Sequence, residues 1–595
     1  MSSNVKTKKD GSMKLMFKSL SNYYVALIIS ILLLVVSVVT TILGPGYIKE
    51  LTELIQQEAT TVAAGQAFSG MSEIISKVIL LAVLYILSFV SGIISGFILN
   101  TVIQKYSRDL REQISHKINL VPLNYYDTRQ IGDILSVVTN DVDTLATQMQ
   151  NSVTMLINSL LMLVGAIIAM FITKWQLAIV VLITLPLMVL VLYLTCKFAL
   201  PLFDKNQNVL GEVNVRTEED YAGQLIIKSF NATEYKGKAF LEKNKLLGKL
   251  LFQSQGIGGI IQPLMGFVSY IAYAAVLVVG GVMVTQGSAT FGDITAFLVY
   301  VSLFQEPLTM IGQSSNCLQL AAAAVGRVYG FLNEEELSDE SNKTENLLDH
   351  NNIKGAVEFK NVSFGYLPEN TLVKDFSAKI EPGMKVAVVG PTGAGKTTLV
   401  NLLMRFYEIT GGDITIDGVS IKDMSRRELH EVMGMILQET WIMNGTLREN
   451  IVYNIKDVDE DRLNQILEET NLAHYVSTLP NGLDTEIQAE SALSAGQKQL
   501  VTIARAMLEN SPMMILDEAT SNVDTRTEIL ISKAMDTLTT GRTSFCIAHR
   551  LSTIKNANLI LVMKDGDIVE TGTHDSLMEL GGLYSEIYNA QFQSA

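Results

Sequence analysis

Six long apolar segments constrain the fold of this chain more than any other feature. They lie near residues 24–44, 75–103, 153–173, 176–199, 257–283 and 290–312. A helix crosses a hydrocarbon core of about 30 Å with roughly 20 apolar residues, and each segment is long enough to do so. The first half of the chain therefore predicts a membrane domain of six helical spans. The second and fifth segments exceed the minimum length, which favours helices that continue outside the bilayer.

Lysine and arginine indicate the orientation of these spans. The segments 1–22, 105–152 and 200–256 hold 5, 5 and 8 of these residues. The opposite loops and their flanks hold only Lys49, Lys77 and Lys174. Basic residues are retained on the cytoplasmic side, so both termini are expected there. The first apolar run is too long for a cleaved signal peptide, and the lack of a transit peptide favours a bacterial cytoplasmic membrane.

The two longer predicted cytoplasmic segments, 105–152 and 200–256, show helical patterning with few glycines or prolines. Structureless loops of this length are uncommon. Both segments therefore predict helical excursions that reach a soluble domain below the membrane. The acid-rich stretch 333–352 after the sixth span is interpreted as a linker.

Composition excludes one class of partner. The net charge is −15 and no basic patch with interleaved aromatic residues occurs, which argues against nucleic-acid binding. The three cysteines, Cys196, Cys317 and Cys546, are far apart and are expected to be reduced, buried thiols and not a disulfide or a metal site.

The C-terminal part has a different pattern, in which strands alternate with helices. The strand-like stretches are VEFKNVSFGY, KVAVVG, DITIDG, MMILDEA and SFCIAHR. This alternation predicts an α/β domain with a largely parallel sheet. The predicted organisation is a cytoplasmic N-terminal segment (1–22), a membrane domain (23–332), the acidic linker (333–352) and the α/β domain (353–595).

A glycine-rich phosphate-binding loop stands inside that domain. KVAVVG (385–390) runs into GPTGAGKTT (390–398), which has the form G-x-x-x-x-G-K-T and precedes a helical pattern. Strand, loop and helix in this order are the context of a nucleotide-binding P-loop. The predicted nucleotide-binding residues are Gly390, Thr392, Gly393, Ala394, Gly395, Lys396, Thr397 and Thr398. Lys396 is expected to reach the β- and γ-phosphates, and the Thr397 hydroxyl to ligate Mg²⁺.

A second apolar strand, MMIL (513–516), ends in Asp517 and Glu518. A carboxylate at the end of a buried strand is unfavourable unless it faces a cation. Asp517 is therefore predicted to hold the magnesium ion, and Glu518 to polarise the attacking water.

The stretch SALSAGQKQL (491–500) contains the S-x-x-Q form of a capping box in Ser494, Ala495, Gly496 and Gln497. Ser494 is expected to cap a helix, and the first turn of such a helix favours an anion.

Together these segments resemble the nucleotide-binding domain of ABC transporters over 353–595. Ser494 stands 23 residues before Asp517, where that family carries its LSGGQ signature. The resemblance implies that Tyr366 stacks on the adenine of ATP and that Gln438 links the metal and the water to the membrane domain. It also implies that His549 lies near the γ-phosphate and that 521–524 form the D-loop.

The whole chain resembles an exporter-type half-transporter. The segments 124–145 and 218–230 resemble parts of that family's two cytoplasmic excursions. The resemblance implies a dimer in which the signature of one chain covers ATP bound by the other. Ala495 replaces a signature glycine and 485–492 lacks the usual glycine–glutamate, whereas Glu518 and His549 are intact. In heterodimeric members the chain with the intact glutamate donates the altered signature, so a heterodimer is favoured over a homodimer.

The transported compound is the least constrained prediction. Glu306 lies in the sixth apolar segment, where an acid faces a cavity or a partner. It is predicted to contact cationic amphiphiles, and the alternative is an ion pair or a hydrated position near the inner surface. Four methionines offer either an adaptable wall or plain packing: Met155, Met162, Met265 and Met310.

The leading expectation is multidrug-type export of small amphiphilic compounds, followed by lipid flipping. Peptide export is less favoured, because no protease-like domain precedes the first span. Two further alternatives are a soluble ATPase that remodels macromolecules, which the six spans oppose, and an ATP-gated channel or regulatory subunit.

Overall fold

The structure is a computed structural model, and it divides the chain into two compact units. It describes residues 20–65, 70–340, 342–343, 347–348, 352–367, 371–438, 440–488, 493–517, 524–547 and 554–592. One unit contains the described residues up to 119 together with 131–334. The other contains 120–130 together with the described residues from 335 onward.

The N-terminal unit is helical. After a short 3₁₀ turn at Ser21–Tyr23, its helices are α1 (Tyr24–Ala63), α2 (Met71–Leu120), α4 (Ile131–Ser136), α5 (Val142–Leu182), α6 (Leu185–Ala222), α7 (Gln224–Ser229), α8 (Thr233–Thr285) and α9 (Phe291–Leu332). The short helix α3 (Leu123–Asp127) lies between α2 and α4 in the sequence but belongs to the second unit. A π-helical turn, Val137–Asp141, joins α4 to α5.

Six helical stretches in the described residues are long and apolar enough to cross a membrane. The helical backbone of α5 is interrupted at Lys174, where φ is −163° and ψ is 100°. This break lies between the third and fourth apolar segments of the sequence. The prediction of six spans is therefore confirmed.

The helices extend well beyond the apolar segments. α2 contains 50 residues and α8 contains 53, whereas a bilayer core needs about 20. The predicted excursions are indeed helical. α1 also continues past Pro45 to Ala63, although the apolar run ends near residue 44. The length of an apolar run predicts the part of a helix that crosses the membrane, but it does not predict where the helix ends. In α1 the polar residues after position 46 continue the helix, because no residue among them ends it before Ala63.

Polar contacts join α9 to α2 and to the π-helical turn before α5, at residues outside the most apolar stretches. The carboxylate of Asp141, with its side chain 5% exposed, accepts two hydrogen bonds from Arg327 at 2.6 and 2.7 Å. The hydroxyls of Tyr106 and Tyr329 are 3.0 Å apart. The three cysteines, all within the described ranges, are free. Cys546 is buried, whereas Cys196 and Cys317 are only partly buried, so the prediction of buried thiols is wrong for these two.

The C-terminal unit contains three sheets. Its strands are β1 (Val357–Phe364), β2 (Val373–Ile380), β3 (Lys385–Val389), β4 (Gly411–Ile416), β5 (Val419–Ser420), β6 (Met433–Ile436), β7 (Gly445–Thr446), β8 (Glu486–Ile487), β9 (Met513–Asp517), β10 (Thr543–Ile547), β11 (Leu559–Lys564) and β12 (Asp567–Gly572). Its helices after α3 are α10 (Lys396–Leu403), α11 (Arg426–Val432), α12 (Leu447–Val452), α13 (Glu460–Glu469), α14 (Leu472–Thr478), α15 (Ala495–Glu509), α16 (Thr525–Thr539), α17 (His574–Leu580) and α18 (Leu583–Phe592).

The central sheet has the order β12-β11-β3-β10-β9-β6 and is parallel except for its edge strand β12. The largely parallel sheet is thus confirmed. Two of the predicted strands, VEFKNVSFGY and DITIDG, form β1 and β4. These strands belong to a separate antiparallel sheet of order β2-β1-β4-β5. The reason is visible in β1, whose side chains alternate between buried and accessible, as in a sheet that is covered on one face.

Candidate nucleotide-binding site

The P-loop turn depends on three glycines. Gly393 and Gly395 have φ of +85° and +98°, a left-handed conformation that glycine adopts without strain. A Cβ on Gly390 would lie 2.3 Å from the Met563 carbonyl oxygen, so no larger residue fits there. The loop then enters α10 at Lys396, with Thr392 exposed and Ala394 buried. A glycine-rich turn that leads into the N-terminus of a helix is the arrangement of an anion site.

The Lys396 ammonium lies over this loop. It donates hydrogen bonds to the carbonyl oxygens of Gly390 at 2.8 Å and Pro391 at 3.0 Å. Burial lowers its pKa, and the nearby negative charge of Asp517 opposes that shift. Lys396 forms no ion pair with a carboxylate in the described part of the chain. A desolvated cation held only by carbonyls fits a polyphosphate, which would supply the missing negative charge.

Several site residues meet at one edge of the central sheet. The carboxyl ends of the parallel strands β3, β10, β9 and β6 share this edge, since Ile547 pairs with both Val388 and Asp517. Asp517 is 8% exposed at the end of β9. Ile436, at the end of β6, pairs with Leu516, so Gln438 follows at the same edge and is exposed.

The oxygen donors at this edge suit magnesium. Thr397 lies exposed in the first turn of α10, Asp517 ends β9, and Gln438 follows the neighbouring strand β6. Carboxylate, hydroxyl and amide oxygens are hard ligands of the kind that Mg²⁺ binds. Glu518, the first residue after β9, and His549, the second after β10, lie outside the described residues, and their roles stay predictions.

Tyr366 belongs to an aromatic cluster beside the P-loop. Its hydroxyl is 3.2 Å from the Thr398 hydroxyl, and its ring meets those of Phe364 and Tyr407 edge-on at 5.0 and 5.1 Å. Over a third of the residue is exposed, which leaves it available for stacking on a base. Tyr407 in turn donates a hydrogen bond to Asp127 at the end of α3.

The contact between Tyr407 and Asp127 was missed by the sequence reasoning. Burial, together with the hydrogen bond to Asp127, raises the pKa of Tyr407, so its hydroxyl stays protonated at neutral pH. Asp127 lies in the segment 124–145 that resembles the family's first excursion. Tyr366, which is predicted to stack on adenine, is therefore connected to that excursion through Tyr407.

The signature helix begins as its sequence predicts. The Ser494 hydroxyl accepts from the Gln497 backbone N–H at 3.3 Å, and the Gln497 side chain accepts from the Ser494 N–H at 2.9 Å. The capping box is confirmed. Ser494 and Ala495 are exposed and Gly496 is buried. No hydrogen bond or ion pair joins these residues to the P-loop in the described ranges.

Asn450 is a structural residue of this domain that the sequence reasoning missed. It is 0% exposed. Its amide donates to the carbonyls of Met443 and Thr446 at 2.9 and 3.1 Å and accepts from the Met443 N–H at 2.9 Å. Its own carbonyl accepts from Arg505 of the signature helix at 2.9 Å. Asn450 therefore ties the segment after Gln438 to that helix. The capping box of Thr446 and Glu449 marks α12 in the sequence, but nothing there reveals this contact.

Asn450→Ala is expected to lower the unfolding free energy by about 1–3 kcal/mol, because it leaves buried polar groups of Met443 and Thr446 unsatisfied. Thermal unfolding of the purified full chain measures the effect. The exposed Asn464 of α13 provides the matched control, since Asn464→Ala removes no such contact. Equal unfolding temperatures for the two variants would contradict the structural role of Asn450.

A helical membrane unit joined to a P-loop domain with a capped signature helix defines an ABC exporter half-transporter. The transmembrane region of ABC transporters matches residues 27–308, and the ABC transporter ATP-binding family matches residues 373–521. The chain belongs to the ABC transporter family.

Two relatives and one solved structure illustrate the similarity. The chain is 41% identical over 494 residues to the fatty acid ABC transporter ATP-binding/permease protein of Mycobacterium bovis, covering 83% of this chain and 78% of the relative. It is 33% identical over 494 residues to the ATP-dependent lipid A-core flippase of Syntrophus aciditrophicus, covering 82% and 81%. The fold matches a bacterial Atm1-family ABC exporter with ATP bound, with a TM-score of 0.73 at 24% identity, over 93% of this chain and 97% of the other.

The class of the protein follows from the fold and these matches. The chain is a multi-pass membrane protein that binds ATP, and it is an ATP-hydrolysing transporter of the exporter type.

Proposed function

We propose that two half-transporter chains form a dimer that exports small amphiphilic compounds of the multidrug type across the cytoplasmic membrane. The observation that carries the dimer is the position of the signature. Ser494 caps α15 at an exposed position, and it makes no polar contact with the P-loop of its own chain among the described residues. Both termini and the nucleotide-binding domain lie on the cytoplasmic side, in agreement with the distribution of lysine and arginine.

Each ATP is bound by one chain and covered by the other. The loop N–H groups and Lys396 hold the β- and γ-phosphates, and Tyr366 stacks on adenine. Thr397, Asp517 and Gln438 supply oxygen ligands to Mg²⁺. Glu518 orients and polarises the attacking water, and His549 contacts the γ-phosphate. The first turn of the partner chain's signature helix faces that phosphate, because a helix start favours an anion.

Transport follows from a shift between two states. ATP stabilises the closed pair of nucleotide-binding domains, because only that state completes both phosphate contacts. The excursions transmit the closure to the membrane helices, which open outward, and hydrolysis resets the cycle. The contacts of Asp127 with Tyr407 and of Tyr407 with Tyr366 support a route from the nucleotide to the first excursion.

Lipid flipping is the second candidate. It is favoured by the name of the relative from Syntrophus aciditrophicus, a lipid A-core flippase. In that case membrane lipid is the transported substrate and also surrounds the helices.

We further infer a heterodimer. Ala495 places a methyl group at the exposed start of α15, where the phosphate of the partner's ATP would approach. This chain keeps Glu518 and His549, so it hydrolyses ATP at its own site and donates the altered signature to the weaker site of its partner.

Ser494→Ala is expected to lower ATP turnover of the heterodimer less than twofold, because Ser494 acts on the weak site. In a homodimer the same change would be severe. The change also removes a helix cap, worth about 1 kcal/mol. Thr573→Ala, which removes the cap of α17, is the matched control for that loss. Phosphate release by the purified complex measures both variants.

The test of the dimer is magnesium-dependent ATP turnover by this chain purified alone in lipid, compared with the chain purified with a copurifying half-transporter. The heterodimer predicts strong turnover only for the pair. Equal turnover by the chain alone would show that LSAGQ serves as a signature in a homodimer.

A further inference from the structure

A cavity of about 580 Å³ lies in the N-terminal unit, lined by residues of α1, α2, α5 and α9. Glu306 lines it from the middle of α9. Thr41 lines it from α1 and Gly96 from α2. Met155, Met162 and Met310 line it as well, whereas Met265 is 1% exposed in the helix core. Three of the four methionines of the sequence analysis thus face the cavity, and the fourth is packing.

The charge of the cavity has one sign. Glu306 is among its lining residues, and no lysine, arginine or histidine is among the described residues that line it. Glu306 is exposed within the chain and forms no ion pair with any described residue. A carboxylate inside a membrane domain is unfavourable without a cation. A cation that pairs with Glu306 would therefore come from outside the described part of the chain.

The rest of the polar lining is uncharged and rich in carboxamides. Asn100, Gln150, Asn151 and Asn158 line the cavity. Their side chains form no hydrogen bond with the part of the chain that the structure describes. Each carboxamide offers two donors and one acceptor oxygen, so the cavity presents many unused hydrogen-bonding positions near a single negative charge. The thioethers supply an adaptable apolar wall beside them.

We propose that this cavity binds organic cations that carry one ammonium or amidinium group together with amide or hydroxyl groups. Glu306 neutralises the cation, the carboxamides bind the polar groups, and the methionines contact the apolar part. The inference deepens the proposed export function and rests on it for the direction of transport. An anionic amphiphile such as a fatty acid would place its carboxylate against Glu306 with no cation to offset it. The ligand class therefore differs from that in the name of the Mycobacterium bovis relative.

Equilibrium binding to the full chain in lipid nanodiscs without nucleotide tests the ligand class directly. Three probes share one fluorophore and a five-methylene linker and differ in the charge of the end group: dansylcadaverine, its N-acetyl derivative and 6-(dansylamino)hexanoic acid. The ammonium probe is expected to bind most tightly and the carboxylate probe least tightly. Tighter binding of the carboxylate probe, or equal affinity for all three, would overturn the proposal.

Two variants separate the charge from the space of the cavity. Glu306→Gln is expected to weaken binding of the ammonium probe by about tenfold or more, because it removes one partner of a desolvated charge pair, and to leave the N-acetyl probe unchanged. Gly96→Leu is expected to weaken both probes, since a Cβ at Gly96 meets no atom within 4 Å and a larger side chain fills the cavity. The matched controls are Glu73→Gln and Gly281→Leu, outside the lining.

The outcomes distinguish this inference from the export proposal. Selective binding that depends on Glu306, with no ATP-driven transport, would contradict the export proposal alone. ATP-driven transport with a Glu306→Gln variant that melts at the wild-type temperature and binds the ammonium probe unchanged would overturn the cavity inference alone.

Discussion

Replacing Glu518 by glutamine is expected to lower ATP turnover by about a hundredfold or more, while ATP binding persists. A positioned general base contributes typically 10²–10⁴-fold, and the amide of glutamine cannot accept the proton of the attacking water. The phosphate contacts made by the P-loop and Lys396 are unaffected by this change. Phosphate release and equilibrium binding of a fluorescent ATP analogue, measured on the same preparation, separate the two effects.

The control is Glu468→Gln, the same chemical change at an exposed position of α13. It should leave turnover unchanged. If the Glu518→Gln protein hydrolysed ATP at the wild-type rate, another group would have to position the water.

Lys396→Met is expected to weaken the binding of ATP, and not only its hydrolysis. It removes the only charged hydrogen-bond donor of the described P-loop residues, and hydrogen bonds to charged groups contribute about 1.5–3 kcal/mol. ATP binding should therefore weaken about ten- to a hundredfold, and turnover should fall with it. Arginine replaces the compact ammonium, which contacts the Gly390 and Pro391 carbonyls, by a planar guanidinium, so Lys396→Arg should not restore binding.

Lys385→Met is the matched control for this change. Lys385 lies at the start of β3 and forms a surface ion pair with Asp536 at 2.9 Å, a contact of small energetic value. Unchanged ATP affinity in Lys396→Met, with Lys385→Met also unchanged, would contradict the role of Lys396 in phosphate binding.

Local patterns predicted those parts of the structure that depend on neighbouring residues. Apolar run length gave the six spans, because a bilayer sets a fixed minimum. The spacing of Gly393 and Gly395 before Lys396 predicted the P-loop turn, whose positive φ angles require glycine. The Ser494 capping box was readable because its two hydrogen bonds join residues only three positions apart.

Contacts between distant residues were beyond the same reasoning. Asn450 with Arg505 and Tyr407 with Asp127 are 55 and 280 positions apart. A side chain such as Asn450 looks like an exposed helix residue until the fold covers it. The cavity around Glu306 was only partly predicted, because the acid was recognisable in an apolar segment but its carboxamide neighbours come from other helices.

The most direct test of the account is ATP-driven uptake of fluorescent amphiphiles into inside-out membrane vesicles that contain this chain with its copurifying half-transporter. Vesicles with Glu518→Gln serve as the blank. An exporter predicts accumulation against a concentration gradient that requires ATP and magnesium and is lost in the blank. Accumulation that equals the blank, in vesicles whose protein binds and hydrolyses ATP, would contradict export of this substrate class.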